Sequence, residues 1–97
     1  MDTATIEFLV RAGLASTVDH NDMTVAADDM YESLDDRGLI VTYFSVRKLT
    51  GGIWSLKFCV VATAIPMADL TTIANSVGNE AARGTSWMFD AVINGKG

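Results

Sequence analysis

One cysteine, one histidine and one proline are all that 97 residues hold of three types that usually bind metal, cross-link or break structure. With Cys59 alone, no internal disulfide forms, and nothing requires an oxidising compartment. A structural zinc site takes four Cys or His ligands, which Cys59 and His20 cannot supply from one chain. Basic residues are scarce too. Seven Lys and Arg against twelve Asp and Glu leave a net charge of −5, which argues against nonspecific binding to nucleic acid or an anionic membrane. The longest apolar stretch, Phe58 to Ile65, is interrupted by Thr63 and bounded by Lys57 and Pro66. It falls far short of the ~20 residues that span a bilayer. The opening MDTATIEFLV has neither the basic start nor the long apolar centre of a secretory signal. The expectation is a soluble, cytoplasmic protein without metal or cofactor.

With 49% apolar residues, the chain is not compositionally disordered, and its length suits one domain over residues 1–97. Its centre is Leu39 to Ile65, two apolar stretches folded back at Thr50-Gly51-Gly52. A two-residue turn at Gly51-Gly52 would pair Phe44 with Cys59 and mix the faces. A three-residue loop pairs Phe44 with Phe58, Val46 with Leu56 and Thr42 with Val60. It leaves Arg47 with Ser55, Ser45 with Lys57 and Tyr43 with Cys59 on the other face. Opposed residues share a face and three-residue loops need a left-handed position that glycine fills, so the spacing predicts the longer loop.

Thr3 to Leu14 fits both periods. As a strand it puts Ile6, Phe8, Val10, Ala12 and Leu14 opposite Thr5, Glu7 and Arg11; as a helix it makes a stripe of Ile6, Leu9, Val10, Gly13 and Leu14. The threonines and Gly13 favour the strand. Ala15 to Met23 reads as a polar loop. Thr24 is an N-cap candidate for a helix over Val25–Arg37 with Ala27, Met30, Tyr31 and Leu34 inward and Gly38 as its stop. Pro66 suits the first turn of a second helix, with Asp69 at its positive end. Leu70, Ile73, Ala74, Val77 and Ala81 form the inner stripe, Gly84 ends the helix, and Thr71, Asn75, Gly78 and Ala82 make a small-residue outer face. A last strand over Thr85–Ile93 turns Trp87, Phe89, Ala91 and Ile93 inward, and residues 94–97 are expected to fray.

The order strand, helix, strand, strand, helix, strand, with each half repeating a helix, a glycine stop and a strand, resembles the ferredoxin-like split βαβ fold. That resemblance implies an α+β domain whose antiparallel sheet has order 4-1-3-2, both helices on one face and the other face open. It implies no activity, because the fold hosts many.

The open face then carries Leu9, Tyr43, Cys59, Val61, Met88 and Val92, more apolar than a wetted sheet requires, with Arg11, Arg47, Lys57, Glu7 and Asp90 around them. Val41, Ser45, Ser55, Thr63, Thr5 and Ser86 complete it. A contiguous apolar patch of this kind marks a surface for a partner or a second copy. RNA is a poor fit, since of the aromatics only Tyr43, on an outer strand, is shown. Asp28, Asp29, Glu32, Asp35 and Asp36 make an acidic helix face, which is ordinarily solvated and, more sharply read, suits a partner with a basic surface. Asp19 and Asp22 lack the spacing of a calcium loop. His20, in a polar loop, has no oriented partner for general-base work, and Cys59 carries no activating motif. Gly51-Gly52 precedes no helix and is no phosphate loop.

The chain accordingly reads as a non-enzymatic interaction module that pairs through its sheet and binds another protein. In size and style alone it is similar to bacteriophage accessory proteins that redirect a host protein. Length and element order also resemble dimeric α+β barrel proteins, some of them enzymes with a cavity between sheet and helices; His20 falls outside the elements where their histidines act. A regulatory small-molecule module is a third class, without the glycine-rich turn such domains use.

Overall fold

The computed structural model describes residues 3–12 and 18–96, Lys96 by its backbone only. Leu14 and the first part of the predicted loop, Ala15–Thr17, lie outside the described residues. The elements are β1 (Thr3–Arg11), α1 (His20–Asp36), β2 (Ile40–Lys48), β3 (Ile53–Val61), α2 (Met67–Ala82) and β4 (Met88–Lys96). All neighbouring strands are antiparallel, in the order β2-β3-β1-β4, with both helices against one face. This is the ferredoxin-like arrangement expected from the element order.

β1 is a strand because its period of two is also its burial pattern. Ala4, Ile6, Phe8 and Val10 are buried, and Thr5, Glu7 and Leu9 between them are half-buried on the other face. Two aromatic contacts anchor the core: Phe8 meets Phe58 edge-on at 5.8 Å, and Phe44 stacks on Phe58 at 5.5 Å. Such pairs add specific geometry to the area they bury.

α1 starts five residues earlier than the sequence suggested. Asp19, not Thr24, is the N-cap: its Oδ1 accepts from the Asp22 amide at 2.9 Å while Asp22 Oδ2 accepts from the Asp19 amide at 3.1 Å. This reciprocal capping box satisfies two free donors where a lone threonine satisfies one. Thr24 lies inside the helix, its hydroxyl donating to the His20 carbonyl at 2.8 Å. The extra turn buries Met23 beside Ala27, Met30 and Leu34, whereas Tyr31 stays more than a third exposed, its ring 5.7 Å from that of Phe44. The predicted stop holds. Gly38, at φ 86°, donates to Asp35 O and Leu39 donates to Leu34 O, the two bonds of a Schellman end, with Leu34 and Leu39 both buried.

α2 has Pro66 one residue ahead of the helix as its N-cap and Asp69 in the first turn. Gly78 belongs to the inner face, not the outer: its Cα lies where an added Cβ would touch Phe8 and Phe89. β4 runs to Lys96, pairing residues 94–96 with Thr3–Thr5, so the strand outlasts the end expected at Ile93.

The hairpin pairs Phe44 with Phe58, Val46 with Leu56 and Tyr43 with Cys59 around a Thr50–Gly52 loop. Leu49 N donates to Ile53 O, and Gly51 and Gly52 both take positive φ. The expected pairing of Thr42 with Val60 fails, because a bulge leaves Thr42 unpaired and sets Val41 opposite Val60. Leu39 and Val41 have odd numbers and Phe44 and Val46 even ones, so without an extra residue the two pairs would face opposite sides of the sheet. The bulge turns all four toward the helices.

Candidate functional site: the open sheet face

The bulge also decides what the open face shows. Ile40, now opposite Val61, is 62% exposed there, while Val41, expected on that face, packs against the core. Thr63 and Ser86 fall outside the strands. Across β2-β3-β1-β4 the face reads, in successive rows, Ile40, Val61 and Thr3; Tyr43, Cys59, Thr5 and Asn94; Ser45, Lys57, Glu7 and Val92; Arg47, Ser55, Leu9 and Asp90; then Ile53, Arg11 and Met88.

All eight residues expected on a partner surface, Leu9, Tyr43, Arg47, Lys57, Cys59, Val61, Met88 and Val92, lie on this face. They do not make one contiguous apolar patch. Ile40, Val61, Tyr43 and Cys59 cluster at one corner, and Leu9, Val92, Met88 and Ile53 at the opposite one, with Ser45, Lys57 and Glu7 between them. Tyr43 and Met88 are each about 60% exposed and Val92 is 41% exposed. Ser55, near the middle and between its cross-strand partners Arg47 and Leu9, is 1% exposed and donates to Glu7 Oε2 at 2.5 Å. Among the described residues no buried side-chain nitrogen or oxygen lacks a hydrogen-bond partner, so the interior of the described fold holds no orphaned polar group for a ligand to satisfy.

Asp28, Asp29, Glu32, Asp35 and Asp36 are all exposed, as expected, on the side of α1 away from the sheet. His20 is not a loop residue: it opens α1, exposed, with Nδ1 3.3 Å from the Thr24 hydroxyl and its ring 6.1 Å from that of Trp54. Cys59 is half-buried on the open face. No group of three His, Cys, Asp or Glu among the described residues is placed to hold a metal ion. Among the same residues, no helix is long and apolar enough to cross a membrane.

The sequence reading did not foresee a groove of about 540 Å³ between α1, α2 and the approach to β4. Val25, Ala26, Met30, Val77, Ala81 and Trp87 give it an apolar lining, with Asp22, Asp29, Ser33, Glu80, Arg83 and Thr85 as its polar members. Arg37 straps its wall: Nη1 donates to Ser33 Oγ at 2.5 Å, Nη2 pairs with Glu80, and Ser33 Oγ donates to Glu80 Oε2 at 3.2 Å. The hydrogen bond from Arg37 holds the Glu80 carboxyl below the usual carboxylate range. The signal for the groove was present in Val25, an apolar residue on the acidic side of α1, 54% exposed.

No protein-family model matches the sequence, and no curated protein does. Solved structures match in shape. The C-terminal domain of the MgtC protein from Mycobacterium tuberculosis is similar at TM-score 0.65 and 6% identity, over 98% of this chain and 87% of that one. The ligand-free regulatory subunit of aspartate kinase from Thermus thermophilus is similar at TM-score 0.54 and 14% identity, over 96% of this chain, which spans half of that subunit's length. A de novo designed protein with ferredoxin fold, LFR1 1, is similar at TM-score 0.53 and 13% identity, over 97% and 82% of the two chains. At such identities the likeness is one of fold, and the fold is shared by proteins of unrelated activity.

Proposed function

We propose that this chain is a non-enzymatic interaction module that pairs with a second copy of itself through the open face of its sheet. The observation that carries the reading is the number of large apolar side chains left in water on a face no helix covers: Ile40, Tyr43, Met88 and Val92. Antiparallel sheets with one wetted face ordinarily alternate apolar inside and polar outside, and this face departs from that at both corners. Two sheets packed face to face sit about 10 Å apart with interdigitated side chains, which would cover both corners at once.

The acidic face of α1 points away from the sheet and would remain free in the pair for a second protein with a basic surface. Nothing among the structural neighbours bears on the likeness to bacteriophage accessory proteins, and it is not part of the proposal. The test is the solution mass, by light scattering, of the wild type and of Tyr43→Asp with Met88→Asp. Self-association lost in the double variant supports the reading. A variant as associated as the wild type overturns it, because both apolar corners then carry a charge.

A second reading is favoured by the groove beside Trp87, whose volume lies in the range of about 300–1,000 Å³ typical of small-molecule sites. Its apolar lining and exposed Asp22 and Asp29 suit a small cationic amphiphile. In a Trp54→Phe background Trp87 is the one remaining tryptophan. A saturable change in its emission on titration with an alkylamine, abolished by Ala26→Leu, would support this reading; an unchanged emission would contradict it.

A further inference from the structure

The charges on the open face are sorted by strand. Arg47 stands on β2 and Lys57 on β3; Glu7 stands on β1 and Asp90 on β4. Lys57 and Glu7 share one row and Arg47 and Asp90 the next, at mirrored places about the line between β3 and β1. Arg11, on β1, is the exception. Although Lys57 and Glu7 are opposed across β3 and β1, they form no ion pair; among the described residues the one ion pair is Arg37 with Glu80. None of the four is therefore paired with an opposite charge within the sheet, although Glu7 accepts from Ser55.

Resting on the self-association proposed above, we infer that the second copy is related by a two-fold axis running along the strands between β1 and β3. Such a rotation lays β3 of one copy over β1 of the other, and β2 over β4. Lys57 then faces the partner's Glu7, and Arg47 the partner's Asp90, each twice by symmetry, as an isologous interface requires. A two-fold running across the strands through the Lys57–Glu7 row would instead set Lys57 on its own copy and Glu7 on its own copy, like charge on like. Charge matching of this kind fixes register and excludes wrong arrangements more than it adds affinity. The same rotation covers Tyr43, Cys59 and Val61 with the partner's Asn94, Thr5 and Thr3, and Val92 and Leu9 with the partner's Ser45 and Ser55, so the central charged rows, not corner-to-corner apolar contact, choose the orientation.

A charge-swap pair tests this. One variant carries Arg47→Glu with Lys57→Glu, the other Glu7→Lys with Asp90→Lys. Each alone places like charges opposite one another and should weaken self-association by about tenfold or more, as four opposite-charge pairs are lost and become repulsive. An equimolar mixture should restore association as a mixed pair, resolved by native mass spectrometry. Because Glu7 also accepts from Ser55, a milder pair, Arg47→Asp and Asp90→Arg, is run beside it at two exposed positions. A wild type that associates while all variants associate equally well, or a mixture that is not restored, overturns this arrangement and leaves face-to-face pairing standing. A wild type that stays monomeric overturns both.

Discussion

Gly78 sits in the middle of α2, facing the sheet, and replacing it with alanine should stabilise the protein. Glycine inside a helix is about 1 kcal/mol less favourable than alanine. Whether that gain is realised depends on the space above Phe8. A Cβ built at Gly78 lies 3.5 Å and 3.7 Å from Phe8 ring carbons and 3.6 Å from Phe89 Cβ, all ordinary van der Waals separations. The added methyl therefore fills rather than forces, and Gly78→Ala should gain about 1 kcal/mol, raising Tm by roughly 4–8 °C for a domain of this size. Valine at the same position carries two further carbons into the Phe8 ring and should lose about 1–3 kcal/mol as an overpacked core does. Urea titration and calorimetry of both variants measure these shifts. A Gly78→Ala protein less stable than the wild type would refute the reasoning, since it would mean that α2 approaches the sheet more closely than a methyl allows.

Two further predictions concern the helix ends. Asp19→Ala should destabilise by about 1 kcal/mol, the usual effect of losing an N-cap side chain, while Thr24→Ala, inside the helix, should have much less effect; the reverse order in urea titrations would restore Thr24 as the cap. Glu80, its carboxyl held low by Arg37, contributes stability that is present above the ordinary carboxylate range and is lost as pH falls through its lowered value. The stability difference between wild type and Glu80→Gln should accordingly shrink on acidification, and a difference independent of pH would show that the ion pair with Arg37 contributes nothing.

Much of this fold was legible because local signals agreed with one another. The hairpin register followed from face matching around Gly51-Gly52, and the strand order from a repeated helix, glycine stop and strand. Two misreadings share a physical cause, which is that one residue was judged without its partners. Thr24 looks like a cap until Asp19 and Asp22 are seen to cap each other's amides. Val41 looks outward until Leu39 and Phe44 are both required inward, which only a bulge at Thr42 permits. Gly78 was misplaced because, with no side chain, it adds nothing to the apolar stripe by which helix faces are read. The eight residues named for the candidate surface do lie on the open face, but Val41, Thr63 and Ser86 do not and Ile40 was missed, and the division into two apolar corners depends on cross-strand rows, which no single strand reveals. The groove depends on how α1, α2 and the approach to β4 meet, and its lining residues are scattered from Asp22 to Trp87.

The central claim is that the uncovered sheet face is a pairing surface. Sedimentation equilibrium of the wild-type chain, over roughly a hundredfold range of concentration, tests it most directly, because association by mass action must respond to dilution. The account predicts a mass that approaches twice the 10.4 kDa of one chain at the upper end and falls toward a single chain with dilution or added salt. A mass of one chain at every concentration would contradict it.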